Sequence, residues 1–219
     1  MSTRDFDDLV EVRDQGPVSE SIAGYAEPTG SRLDRWWQSC TPLAQRLVRW
    51  GAPALVVIIA AVTRLWNLGY PRELVFDETF YVKDAWSLFN LGYEGSWPAD
   101  ADTAFNAGQT NIFLTDPSFV VHPPLGKWII ALGMAAFGPE NPVGWRISVA
   151  VVGILAVVLI MLIAKYLFRS QLLATIAGFL MAIEGNAIVM SRVALLDNFV
   201  MFFALLGFGA IMLDRHASA

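Results

Sequence analysis

The fold class this sequence predicts is an all-α integral membrane protein, and three observations predict it. Hydrophobic residues make up 55% of the 219-residue chain. Several apolar runs approach the roughly 20 residues needed to cross a hydrocarbon core of about 30 Å. The clearest of them, Ile147 to Ala164, carries no charge and is bounded by Arg146 and Lys165.

Taken in order, residues 1–31 hold seven acids against two arginines, which accounts for the whole net charge of −5. Gly16, Pro17, Gly24, Pro28 and Gly30 break this segment. With so little apolar surface to offset the entropy of ordering, it is expected to be a disordered cytoplasmic tail. Residues 32–49 mix Arg32, Arg35, Arg46 and Arg49 with Trp36 and Trp37, a pattern suited to a segment lying in the headgroup layer. The same arginines keep the N-terminal side in the cytoplasm, so a first span over residues 50–70 is expected to run outward. No cleavable signal precedes it, and this span is expected to serve as the insertion signal.

Residues 71–145 form a long connection rich in turn formers, expected on the outer side. Within it, Pro123 to Phe137 is apolar but short, has Lys127 near its start and is stopped by Gly138-Pro139. It is expected to lie along the interface rather than cross. Parity supports this, because Lys165, Arg169 and Arg215 then fall on the cytoplasmic side. Further spans are expected at 146–165, 170–190 and 198–213, with an outer turn at 191–197 and a cytoplasmic end at 214–219. Four spans result.

Outside the tail the charge is balanced, so nothing points to a nucleic-acid partner. Cys40 is the single cysteine, which excludes an intramolecular disulfide and a cysteine-based zinc cluster. With one histidine, His122, on the outer side and no close-spaced ligand set, no metal or other cofactor is expected.

The expected topology gathers Asp77, Glu78, His122, Lys127, Arg146, Arg192 and Asp197 at one face, with Arg64 about two turns before the outer end of the first span. Cations of this kind suit a lipid-linked phosphate, which they hold and stabilise as it leaves. A carboxylate suits a hydroxyl acceptor, whose proton it takes during attack. Each residue also has a plainer reading. Asp77 is a candidate helix cap, as is Asp197. His122 before two prolines shapes a turn, Arg146 and Arg192 anchor topology, and Arg64 snorkels. Glu184, inside an expected span, is either functional or interfacial.

These residues carry a resemblance. Phe76-Asp77-Glu78, His122-Pro-Pro-Leu-Gly-Lys127, Arg146 at the head of a span, and Ser191-Arg192 followed by Leu195-Leu196-Asp197 resemble the N-terminal half of the protein O-mannosyltransferases. The short link from Lys127 to Arg146 is most similar to bacterial, actinobacterial-type members. The resemblance implies the C-type glycosyltransferase membrane fold and transfer of mannose from a polyprenyl-phosphate donor to Ser or Thr of secreted polypeptides. Its implied setting is the extracytoplasmic face of the plasma membrane, with the secretion machinery as a candidate partner. It places the family's acidic pair on Asp77 and Glu78 and the arginine of its first outer loop on Arg146. Family members continue through many further spans, so this chain is expected to be an N-terminal portion.

The resulting expectation is an inverting transfer without a covalent enzyme intermediate. Asp77 is the general base, Glu78 orients the acceptor or the base, and Arg146 with Lys127 or Arg192 binds the donor phosphate. Two alternatives stand beside it. One is a related C-type transferase acting on a lipid or glycan, which the same motifs would serve. The other is a non-catalytic scaffold or transporter half, which would place its polar residues midway through the bilayer rather than at one face.

Overall fold

The structure is a computed structural model and describes residues 39–217. The expected tail at 1–31 and the Trp36-Trp37 pair lie outside the described residues. The chain divides into two compact units, 1–45 and 46–219. In the first, the described residues open helix α1, where the Thr41 hydroxyl accepts from the Ala44 N–H as a cap does.

Among the described residues every regular element is helical. After α1 (Pro42–Leu65) come α2 (Glu78–Leu91), α3 (Ala101–Asn106), α4 (Leu125–Phe137), α5 (Pro142–Phe168), α6 (Gln171–Ile183), α7 (Gly185–Met190) and α8 (Asp197–Ala217). Helix α1, helix α5 and residues 197–215 of α8 are each long and apolar enough to cross a membrane. Helices α4 and α6 are apolar but have 13 residues each, so either one reaches only about 20 Å.

Two boundaries differ from the expected ones. Helix α1 takes in Arg46 and Arg49 and stops at Leu65, whereas the sequence predicts a span over 50–70. The expected continuous helix over 170–190 is broken at Glu184, whose backbone is extended at φ −65° and ψ 122°. The Glu184 carboxylate accepts from the Asn186 and Ala187 N–H groups, restarting the helix as α7. A side chain that caps a new helix competes with continuation of the old one.

Helix α5 is the common wall of two cores. Toward its N-terminal half, Trp145 and Val149 pack with Val82 and Ala85 of α2, Phe105 of α3, Ile130, Ala131 and Met134 of α4, Ala194, and Phe199 of α8. Farther along, Val157 and Met161 pack with Val56 and Ala60 of α1 and Ala182 of α6. Helix α4 folds back on α5 at unusually short range. A Cβ on Gly133 would stand 2.5 Å from the Gly144 carbonyl oxygen, so only glycine permits this approach. The fold-back brings the start of α4 beside the starts of α2 and α8.

Candidate active site

The site begins with how α2 starts. Phe76 adopts a left-handed φ of 53°, which turns the incoming loop into the helix. Asp77 then occupies the N-cap position with helical angles, φ −73° and ψ −2°, and its side chain makes no capping hydrogen bond. The capping role open to it from sequence is therefore not taken. Turn bonds from the Glu78 and Thr79 N–H groups to the Val75 and Phe76 carbonyls replace it. The Asp77 side chain is half-buried and takes part in no salt bridge found among the described residues.

Residues four apart share a helix face, and helical side chains lean toward the N-terminus, so Tyr81 reaches back over Asp77. Asp77 lies near enough to the phenol for its charge to act on it. The Tyr81 ring meets His122 edge to face, with centroids 5.5 Å apart. Burial, then the charges of Asp77 and Asp197, and more weakly that of Asp84, raise the phenol above its ordinary pKa, so it remains a proton donor at neutral pH. The structure thus brings together Asp77, Tyr81, His122 and Asp197. Asp197 is exposed as the first residue of α8, where a carboxylate complements the positive end of the helix dipole.

Glu78, one residue on and so about 100° around the helix, is completely buried. Its Oε1 accepts from Arg146 Nε at 2.7 Å and from the Ala194 N–H at 2.8 Å. Its Oε2 accepts from an Arg146 terminal nitrogen at 2.7 Å and from the Val75 N–H at 3.1 Å. Arg146 uses its remaining donors on the carbonyls of Leu68, Pro71 and Glu73, at 3.2, 2.8 and 3.1 Å. A guanidinium has five N–H groups, and all five are engaged. No donor remains for a phosphate, and the Glu78 carboxylate has no open face for an acceptor. The pair instead ties α2, the 68–75 loop, α5 and the 191–196 turn together.

The other expected cations are similarly committed. Lys127, 1% exposed, bridges Asp84 at 3.0 Å and Glu94 at 2.5 Å. Arg64 is buried in the membrane-type core and donates to the Ala182 and Met181 carbonyls, both at 3.2 Å, closing the last turn of α6. It also donates to the Ser191 hydroxyl at 3.3 Å, so it does not snorkel. Arg192 donates to the carbonyls of Thr63 and Trp66, at 2.9 and 2.8 Å, and so caps the end of α1. Each arginine satisfies carbonyls that a helix end leaves free in an apolar setting, where an unpaired one costs several kcal/mol.

Three residues that matter here are not marked out by the sequence reading. Tyr81 and Asp84 carry a signal, because they fall four and seven residues after Asp77 on one helical stripe. Glu94 carries none, since it reaches Lys127 only through the left-handed turn at Gly92, φ 82°. Burial is the largest influence on Asp84 and raises its pKa against the opposing effect of Lys127. Lys127→Met is therefore expected to push the Asp84 carboxyl higher still and to destabilise the fold by about 3 kcal/mol, because it strands two acids beside one apolar side chain. Thermal unfolding of the detergent-solubilised variant checks the stability loss. The sign is fixed: a carboxyl raised in the folded state favours folding at low pH, so the deficit shrinks as pH falls through the raised value.

Among the described residues no group of three His, Cys, Asp or Glu side chains is placed to hold a metal ion. Arg72, exposed in the loop before α2, lines a separate cavity of about 970 Å³ with Asn67, Asn106, Glu140 and Asn141.

Comparison with known proteins places the chain in a family. Residues 54–214 match the family model described as dolichyl-phosphate-mannose-protein mannosyltransferase. A polyprenol-phosphate-mannose-protein mannosyltransferase of Mycolicibacterium smegmatis is 40% identical over 170 residues, covering 76% of this chain and 29% of that protein. The protein of the same name from Corynebacterium glutamicum is 35% identical over 209 residues, covering 93% of this chain and 36% of its own length. Protein O-mannosyl-transferase 1 of Rattus norvegicus is 29% identical over 167 residues, 69% of this chain and 19% of that protein. The chain thus spans about a third or less of the length of these curated relatives. No solved structure matches it. With three quarters of its residues inside the family model, the chain belongs to the dolichyl-phosphate-mannose-protein mannosyltransferase family.

Proposed function

We propose that this chain carries the acceptor-activating part of a protein O-mannosyltransferase. The enzyme takes mannose from polyprenyl-phosphate-mannose and places it on Ser or Thr of a secreted polypeptide at the extracytoplasmic face of the plasma membrane. One observation carries the reading. In a family of mannosyltransferases, the first carboxylate of the acidic pair is taken up by no cap bond or salt bridge, while the second is locked in a buried ion pair. Asp77 takes the proton of the attacking hydroxyl as the bond from mannose to the donor phosphate breaks, with inversion and no covalent enzyme intermediate. The Glu78–Arg146 pair serves as the frame that aims Asp77, rather than as acceptor and phosphate contacts. His122 and Asp197 line the acceptor's approach.

The C-type glycosyltransferase fold, a cytoplasmic N-terminus and a crossing made jointly by α6 and α7 belong to the same proposal. So does delivery of the acceptor by the secretion machinery. In this topology the 66–141 connection, which includes α2, α3 and α4, lies outside with the 191–196 turn, and Lys165 and Arg169 lie inside.

The test is mannose transfer from polyprenyl-phosphate-mannose to a Ser/Thr peptide. Membranes containing this chain are compared with membranes containing any longer form of the gene product. Transfer by at least one form, dependent on the phosphate-linked donor, supports the proposal. With verified expression of both, transfer to a glycolipid but never to peptide would replace it with the glycan-directed alternative.

A further inference from the structure

We propose that residues 119–122 are the docking edge for the acceptor, a polypeptide segment that adds as a β-strand and pairs its backbone with the N–H and C=O groups of Phe119 and Val121. This deepens the proposed function and rests on a polypeptide being the acceptor.

The segment continues one strand of a small antiparallel ribbon past its last bond. Residues 94–96 and 114–118 face each other about the Gly95–Pro117 bridge. The Ser96 N–H donates to the Asp116 carbonyl at 2.8 Å, the Leu114 N–H to the Ser96 carbonyl at 2.8 Å, and the Ser118 N–H to the Glu94 carbonyl at 2.7 Å. Both ends of the segment are held. Glu94 is tied to Lys127 at 2.5 Å, and the His122 ring packs on Tyr81. Between these anchors, no backbone N–H or C=O of residues 119–122 has a hydrogen-bond partner among the described residues. Phe119, Val120 and Val121 are residue types that favour strands, and the proline after His122 biases it toward extended backbone. Successive strand residues present their backbone groups to opposite edges. Residues 114, 116 and 118 face 94–96, so in the continuing strand Phe119 and Val121 face the open edge.

A row of unpaired backbone groups is a template for another strand. Three observations point to the acceptor as its occupant. Phe119 is 89% exposed, with Val120 and Val121 exposed beside it, so a chain can reach the edge. Hydrocarbon covering the segment would leave its N–H and C=O groups unpaired, whereas a polypeptide backbone satisfies both kinds. The edge also ends at His122, whose ring meets that of Tyr81 at 5.5 Å, one turn of α2 beyond Asp77. An acceptor lying along the edge therefore continues toward the base. Main-chain pairing supplies affinity without reading each side chain, so one edge can present Ser or Thr from varied sequences.

The experiment measures transfer in membranes bearing the form of the protein that transfers mannose. The acceptors are a Ser/Thr peptide and copies of it carrying one backbone N-methyl group, placed at each position in turn. Each methyl removes one N–H and leaves the side chain in place. With the parent enzyme, methylation at alternate positions on one side of the acceptor Ser or Thr is expected to raise the peptide KM about three- to tenfold, the effect of one lost hydrogen bond. The positions between them should be unaffected. Val121→Pro removes an N–H that bonds to nothing in the fold, and should raise the peptide KM by a similar factor while the donor KM stays as it is. The peptide series needs only the parent protein, so it decides the question even where the variant fails to fold. A methylation profile without alternation would overturn the docking edge and leave the proposed function standing. A slower Val121→Pro with an unmoved peptide KM would overturn it too, and would give the segment to lipid or to a second copy of the chain. Transfer to no peptide by any form would remove the polypeptide acceptor, and the docking edge with it.

Discussion

Asp77→Asn is expected to reduce mannosyl transfer by a factor of about 10²–10⁴, the range that a positioned general base contributes. The amide has nearly the shape of the carboxylate and cannot accept the acceptor's proton. Asp77 contributes no capping bond to α2, so the substitution removes nothing that holds the helix start. Stability should therefore remain within about 0.5 kcal/mol of the parent, as for a nearly isosteric change that breaks no cap and no salt bridge. The measurement is transfer to a Ser/Thr peptide beside thermal unfolding of the same preparation. Loss of transfer with unchanged unfolding is the expected pattern. Retained activity would move the base role to another group, for which Asp197, exposed and with its charge acting on Tyr81, is the candidate.

Arg146→Ala is expected to have the largest effect on stability, a loss of about 3–5 kcal/mol. It leaves the Glu78 carboxylate buried without its counter-charge, and it unpairs the carbonyls of Leu68, Pro71 and Glu73 at once. For a protein with a stability on the order of 5–15 kcal/mol, such a loss can halve what remains. Arg146→Lys should rescue only partly. An ammonium has three donors from a single point, and it cannot span a bidentate carboxylate and three separate carbonyls. Expression level and thermal unfolding, read in the order parent, Lys, Ala, check the prediction. If Arg146→Ala were as stable as the parent but unable to bind the donor, the frame role would be wrong and the phosphate-binding role restored.

These two expectations differ because adjacent residues in one motif face different ways. Asp77 and Glu78 look equivalent as a pair of letters. Successive residues on a helix are about 100° apart, since a turn holds 3.6 residues. With Asp77 on the side of Tyr81, Glu78 turns toward α5 and the 191–196 turn, where Arg146 and the Ala194 N–H meet it. The pair is thus divided between chemistry and architecture by the helix itself.

Much of this arrangement is legible in the amino-acid sequence. The apolar runs that form α5 and α8 follow from composition and length, because lipid or a helix core demands continuous apolar side chains. The short, stopped run at 125–137 is recognisable from Lys127 and Gly138-Pro139. Family membership follows from a few motifs in order, and Asp77 is identifiable with Glu78 as one member of an acidic pair beside a membrane.

What only the tertiary structure decided is where the charges go. Sequence locates Arg64, Lys127, Arg146 and Arg192 near one face, and a free cation near a membrane face reads naturally as a phosphate site. Whether a cation is free depends on partners far away in the chain: Arg146 meets Glu78 across 68 positions and Arg64 meets Ala182 across 118. No local pattern encodes such pairings. They arise because a helix end or a carboxylate buried away from water must find a donor, and the nearest guanidinium in space supplies it. The same rule broke the expected helix at Glu184, where a side chain in reach of two N–H groups outcompeted one more helical turn. Local periodicity determined which segments are helices, while the requirement to satisfy every buried polar group determined which residues remain available for chemistry.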